Sequence, residues 1–226
     1  MRVSLVRYTP DPELTVASAA RLCYSEISAI EIAEKLSESQ VDRLLQQVIA
    51  SGHHSVLEHA SFTFAIDGIS RAASHQLVRH RLASYSQQSQ RWVRYRSPEF
   101  VCPPTIIADA EARKLFDQAL QTAFERYLKL LEAGVPAEDA RYVLPNATTT
   151  RLVMTMNARE LMHTCSIRLC LRAQWEIREM FQRIKEEVNA VAPRIGAALQ
   201  IKCIKLGYCD EKETCGIRPL KEDVIG

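Results

Sequence analysis

Apolar residues fall along this chain in blocks whose spacing switches between two and nearly four. From 60 to 68 the alternation is strict. Phe62, Phe64 and Ile66 take one side and Thr63, Ala65 and Asp67 the other, which predicts a strand with one buried face. Residues 2–8, bounded by Pro10 and Pro12, predict a shorter strand, and the β-branched run 148–155 a third. Helical spacing governs most of the rest. It predicts helices over 13–24 and over 40–50, the latter with Val41, Leu44, Leu45, Val48 and Ile49 on one face. Ser70 is a suitable cap for a helix running to about Arg79. Pro98, Pro103 and Pro104 then break the chain ahead of a long helix over 109–133, striped by Phe116, Leu120, Phe124, Tyr127 and Leu131. Gly134 stops that helix, Pro136 suits the first turn of a short one, and Pro145 ends it. Two more helices are predicted, at 158–171 and 173–192. The second carries Ile177, Met180, Phe181, Ile184, Val188 and Val191 as its stripe. With no repeat, linker or low-complexity tract, the expected architecture is one helix-rich α+β domain spanning 1–226.

Composition narrows the class. A chain of 226 residues, 47% hydrophobic and 25% charged, can bury a full core. A net charge of +2 gives no global field for bulk nucleic-acid binding. No apolar run approaches the roughly 20 residues of a bilayer span, and Met1–Leu5 does not open a signal peptide, so a cytoplasmic protein is expected. Seven cysteines form no C-x-x-C pair, and free thiols are the default. Cys209 and Cys215 bracket an acidic segment. A solvated turn is the plain reading, with a metal clip or redox pair as its rival.

The positive charge is local. The stretch from Arg79 to Arg91 (Arg-His-Arg-Leu-Ala-Ser-Tyr-Ser-Gln-Gln-Ser-Gln-Arg) concentrates guanidinium, imidazole, hydroxyl and amide groups with no carboxylate. A packed core does not want such a segment, because each buried polar group needs a partner. A loop that grips a phosphate or a planar heterocycle does. Three further segments are polar beyond what packing asks: 52–59 with His53, His54 and His59; 146–159; and the helix 160–172 with His163 and Arg168. The histidines lack the spacing of a zinc site, and no metal is expected. At about 100° per residue, Arg159 and His163 share a helix face, while Arg168 lies about 140° from His163. These side chains should therefore serve different ligands or different sites of an oligomer. Cys102, Cys165 and Cys170 have apolar settings and no partner base, and Ser89 has none either, so no covalent nucleophile is expected. No Walker loop or Gly-x-Gly-x-x-Gly is present, so nucleotides must be held by side chains.

The pattern Arg79-His80-Arg81-x-x-Ser84-x-x-x-x-Ser89-x-Arg91 resembles the signature of the flavin-dependent thymidylate synthases. The likeness extends through Gly52-His53, Asn157-Ala158-Arg159, Arg168 and Ala173-Gln174-Trp175-Glu176. It implies that family's helix-rich fold with a mostly antiparallel sheet. It also implies a homotetramer with active sites at subunit interfaces. The implied reaction is methylation of dUMP to dTMP, with methylenetetrahydrofolate as carbon donor, NADPH as reductant and FAD as cofactor; tetrahydrofolate is the other product. Carried over by motif, flavin contacts are Ser55, Arg79, His80, Arg81, Gln87, Asn157, Arg159 and His163. Contacts to dUMP are Gln76, Arg79, Gln87, Gln88, Ser89, Gln90, Arg91, Arg141 and Arg168, with His53 beside the flavin where folate or NADPH stacks. The resemblance makes Arg168 the activating residue. Many family members carry Asn-Glu where this chain has Ser86-Gln87, so a carboxylate base at 87 is not available here. Two other readings compete: a single-stranded RNA-binding module built on Tyr85, Trp92, Tyr95 and the arginines, and a plain flavin reductase.

Overall fold

In the computed structural model, which describes residues 1–97 and 99–225, four strands form one antiparallel sheet in the order β1-β2-β4-β3. The strands are β1 (Arg2–Tyr8), β2 (Ser61–Ser70), β3 (Ala83–Gln87) and β4 (Thr149–Asn157). Helices dominate the rest, giving an α+β fold. The expected break at Pro98 lies outside the described residues. No described helix is long and apolar enough to cross a membrane.

Contacts divide the chain into two compact units. One comprises Met1–Arg2, Ile66–Arg79 and Tyr85–Val153; the other comprises Val3–Ala65, His80–Ser84 and Met154–Gly226. In the second unit the predicted alternation holds. Phe62 and Phe64 of β2 and Met154 and Met156 of β4 are buried. Thr63 Oγ1 and Thr155 Oγ1 meet across the two strands at 2.9 Å on the other face. Helices α1 (Pro12–Leu22), α2 (Ala29–Lys35) and α3 (Glu38–Ser51) precede β2. Ser28 and Ser37 cap α2 and α3, each with a reciprocal bond from Glu31 or Gln40, so both helix starts have partners for their donors. After a 3₁₀ segment at His54–His59, Leu57 closes the core.

Later in the chain, α8 (Ala158–Arg168) starts where Asn157 Oδ1 accepts from the Glu160 amide, and α9 (Trp175–Val191) buries the predicted stripe from Ile177 to Val188. Gly196 lets α10 (Pro193–Ala198) approach α9, since a Cβ there would stand 2.6 Å from the Asn189 Cα. One cation gathers this layer. Arg194 donates to Glu13 at 2.7 Å, Glu38 at 3.0 Å and Asp42 at 3.2 Å. Glu13, buried, also accepts from the amides of Arg194 and Ile195. These carboxylates, Glu13 foremost, hold the guanidinium's pKa above its ordinary value.

In the first unit, α4 (Arg71–Leu77) is capped by Ser70 as expected, and its Ala73 and Leu77 are buried. The long helix is α6 (Ala110–Glu132), preceded by α5 (Pro104–Ile107) and buried at Leu120 and Tyr127. Gly134 takes φ +84°, which L side chains avoid, so it turns the chain into α7 (Ala137–Ala140). The sequence reading left the whole Arg79–Arg91 stretch as loop; part of it is the strand β3. Hydrogen bonding along β4, rather than a buried apolar face, makes it a strand. Of the two predicted helices after β4, α8 ends early, at Arg168, and α9 starts late, at Trp175.

Candidate functional site

The polar residues singled out by sequence form two sets, one in each compact unit. In the unit containing α8, His80 follows the Arg79 turn and is buried, 8% exposed. Its Nε2 accepts from the Arg168 Nε at 3.0 Å. That bond leaves the proton on Nδ1, which faces the Thr164 hydroxyl at 3.3 Å. Thr164 in turn donates to Glu160 Oε1 at 3.2 Å. Proton positions thus order themselves along one chain, from Arg168 through His80 and Thr164 to Glu160. The three helical members are spaced by four, so α8 presents them on one face.

Electrostatics fixes the middle of the chain. Burial first, then Arg168 and His163, push the His80 pKa down to about 4. The imidazole is therefore neutral at pH 7, and its 3.6 Å approach to Glu160 is not an ion pair. A neutral imidazole neither repels the guanidinium nor loses its lone pair. His163 stands edge-on to His80, ring centroids 6.5 Å apart. Helix geometry had separated His163 from Arg168, yet both reach His80 from different sides.

This arrangement makes fold stability depend on acid. An unfolded histidine takes its proton near pH 6.5, while His80 waits until about pH 4. Between those values the unfolded chain binds more protons, so stability falls as pH drops and levels off below the lower value. We expect urea midpoints to lose the equivalent of about 1–3 kcal/mol over that window, and the loss to vanish in His80→Gln. An unchanged slope in the variant would assign the acid sensitivity to other groups.

Around this chain lie the other members of the set. Ser55, Arg81, Arg159, His163 and His53 are exposed, and Arg159 pairs with Glu58. Asn157 is half-buried, and its side-chain oxygen is committed to capping α8, which leaves its amide nitrogen for a ligand. Cys165, on α8, is fully buried, and burial pushes its thiol up to about 12, so it is no nucleophile at neutral pH.

The other unit holds the second set. The Gln88 amide donates to the Arg151 carbonyl at 2.8 Å, and the Gln87 side chain donates to the Thr150 hydroxyl at 3.1 Å. These bonds run from β3 to β4. Ser89 Oγ accepts from the Arg91 amide at 3.1 Å, shaping the turn. Arg91 meets the Glu138 carboxylate at 2.6 Å and lies 4.9 Å from the Trp92 ring centroid. Arg141 donates to the Glu138 carbonyl at 2.9 Å, so Arg91 and Arg141 converge on one residue. Gln76 and Gln90 are half-buried, and Arg79 is exposed.

Sequence reading missed Glu160 and Thr164, which hold His80, and Glu138, which faces Arg91. Their signal was present for the first two: polar residues at 160, 164 and 168 form an i, i+4, i+8 row beside an apolar stripe. Arg71 was missed as well. Burial lowers its pKa, Tyr95 opposes this, and neighbouring Arg141 adds to the lowering, so it belongs to the same cationic cluster.

Comparison with known proteins follows this geometry. The family model described as thymidylate synthase complementing protein matches residues 4–194. The chain belongs to this family. A relative from Geobacter sulfurreducens, named flavin-dependent thymidylate synthase, is 52% identical over 96% of this chain and 94% of its own. Relatives of the same name from Clostridium tetani (44% identical; 96% of this chain, 93% of theirs) and Pyrococcus horikoshii (45%; 94% and 91%) also align nearly end to end. Within the thymidylate synthase complementing family, both polar sets described above fall inside the matched span.

Proposed function

We propose that this chain is a flavin-dependent thymidylate synthase, converting dUMP to dTMP with methylenetetrahydrofolate as carbon donor and NADPH as reductant. We also propose that it works in the cytoplasm as a homotetramer with active sites at subunit interfaces, residues 1–226 acting as one catalytic domain. The observation that carries this reading is the Arg168–His80–Thr164–Glu160 chain, which holds a guanidinium in fixed orientation with no nucleophilic thiol on that helix face.

The residues of the α8 unit suit a flavin dinucleotide. Exposed Arg81 and Arg159 bring the charge a pyrophosphate requires, and Ser55, Asn157 and His163 bring donors, with no glycine cradle needed. FAD, when bound, supplies the redox chemistry. Arg79 and Gln87 are further flavin contacts in this proposal, and His53 serves the stacked co-substrate.

Nucleotide contacts fall to Gln76, Arg79, Gln87, Gln88, Ser89, Gln90, Arg91 and Arg141, with Arg168 at the uracil. Arg91 and Arg141 suit a 5′-phosphate, because both guanidiniums lie at Glu138, one on its carboxylate and one on its backbone carbonyl. Uracil carbon 5 must become electron-rich without a thiol adding at carbon 6. A guanidinium beside N3 and its neighbouring carbonyl stabilises that ring. Holding a group ionised two pKa units below its solution value takes roughly 2.7 kcal/mol. A desolvated charge-assisted bond, at about 1.5–3 kcal/mol, is of that order. Gln87 supplies no carboxylate base, and its amide is bound to Thr150 instead.

The test is direct. Purified protein reconstituted with FAD should be yellow and should release tritium from [5-³H]dUMP only when methylenetetrahydrofolate and NADPH are both present. NADPH oxidation indifferent to dUMP would leave a plain flavin reductase, and a colourless protein with salt-sensitive RNA binding would sink the reading altogether.

A further inference from the structure

The matched family span stops at residue 194, and the segment beyond it poses a physical problem. From residue 202 onward the chain is almost wholly exposed. Helix α11 (Lys202–Leu206) buries no residue, nor does α12 (Lys221–Val224), and among the described residues there Cys209 is the buried apolar position. Ordering backbone costs conformational entropy at every residue. Against that stand exposed ion pairs, Lys202 with Asp210 and Arg172 with Glu211 and Glu213, each weakened by solvent screening. Two backbone bonds join Cys209 to Pro219 and Lys221. Small units that cannot build a core are usually cross-linked.

The same tail encloses a cavity of about 130 Å³ against the end of α8, and four cysteines line it: Cys170, Cys203, Cys209 and Cys215. The last three are evenly spaced, five residues between each, and all four are free thiols. We propose that this cavity is a structural zinc site, in which Cys170, Cys203, Cys209 and Cys215 close on one Zn²⁺ and staple the C-terminal tail to the end of α8.

The chemistry balances without a redox partner. Four thiols release four protons as four Zn–S bonds form, leaving a complex of net charge −2. Arg172, Lys202 and Arg218 line the same cavity together with Asp210 and Glu211, so the lining offsets that charge only in part. Tetrahedral Zn–S bonds of about 2.3 Å bring sulfurs to about 3.8 Å from one another. Among the described residues no group of three or more His, Cys, Asp or Glu side chains is already set to hold a metal ion. Binding therefore draws the weakly anchored tail inward, and metal affinity and tail ordering become one equilibrium.

Metal analysis of the full-length protein, purified under reducing conditions, should find about one zinc per chain. Replacement with Co²⁺ should give the intense thiolate-to-metal and tetrahedral ligand-field bands of a Cys₄ site. Chelation should expose the tail to protease while flavin stays bound. Cys203→Ser and Cys215→Ser, separately, should lower zinc to about a tenth or less, and Cys23→Ser should not. Zinc at background together with a Co²⁺ spectrum lacking thiolate bands overturns the proposal. So does a disulfide between tail cysteines in the protein as purified under reducing conditions, before any chelation. None of these readouts uses turnover, so the metal site and the synthase reading stand or fall separately.

Discussion

Arg168→Lys is expected to lower kcat for dTMP formation by at least about 100-fold, with flavin still bound and helix content unchanged. The size of the effect follows from geometry. Lysine keeps the charge but loses the planar fork, and with it the Nε that donates to His80 at 3.0 Å. His80, buried and neutral, would then lack that donor, and the ammonium would be free to wander on four methylenes. KM for dUMP should move far less than kcat if, as proposed, Arg91 and Arg141 position the phosphate while Arg168 acts on the ring. Thr164→Val should reproduce part of the loss through orientation alone. Full activity in Arg168→Lys would show that charge without direction suffices, and the activation argument would fall.

The second large effect is structural. Arg194→Met should destabilise the fold by about 2–3 kcal/mol, read as a shift of the urea midpoint at constant slope. Removing one partner of a fully buried pair typically costs about 3–5 kcal/mol. Two features moderate it here: Arg194 is 28% exposed, and Glu13 keeps two backbone amide donors. Glu38 and Asp42 lie further out in solvent and add little. Replacing Glu13 as well, by Gln, should recover much of the loss, since the stranded carboxylate is then gone. Equal losses in the single and double variants would mean that packing, not charge, explains the effect.

The elements legible in sequence were those with a strong period and a large apolar face. Alternation at Phe62, Phe64 and Ile66 revealed β2, and the stripe from Ile177 to Val188 revealed α9, because burial enforces both patterns. β3 was not legible. Ala83, Tyr85 and Gln87 are only half-buried and Ser84 and Ser86 are exposed, so pairing with β4 rather than an apolar face makes them a strand. Helices α2, α10 and α11 were missed for a related reason: each is under eight residues, too short for a periodic signal. At the candidate site, the residue types and the motif pointed to guanidinium chemistry. Partners distant in sequence could not be read. Glu138 and Arg91 are separated by 47 positions, and His80 and Arg168 by 88, so only the folded chain pairs them. Cys170 likewise lies far from Cys203, Cys209 and Cys215, and what sequence showed as an acidic turn is a cavity wall.

If Arg91 holds the 5′-phosphate as proposed, the carboxylate resting on it is a resident competitor. An incoming group wins that arginine only by being more negative or better shaped than Glu138, with which Arg91 shares a half-exposed contact. A nucleoside has nothing to offer in the exchange and leaves the latch shut. A dianionic monophosphate lifts it readily, because an exposed pair is worth no more than about 1 kcal/mol. Selection for the phosphorylated nucleotide then arises from an internal rivalry between two anions, without any wall that turns the uncharged molecule away.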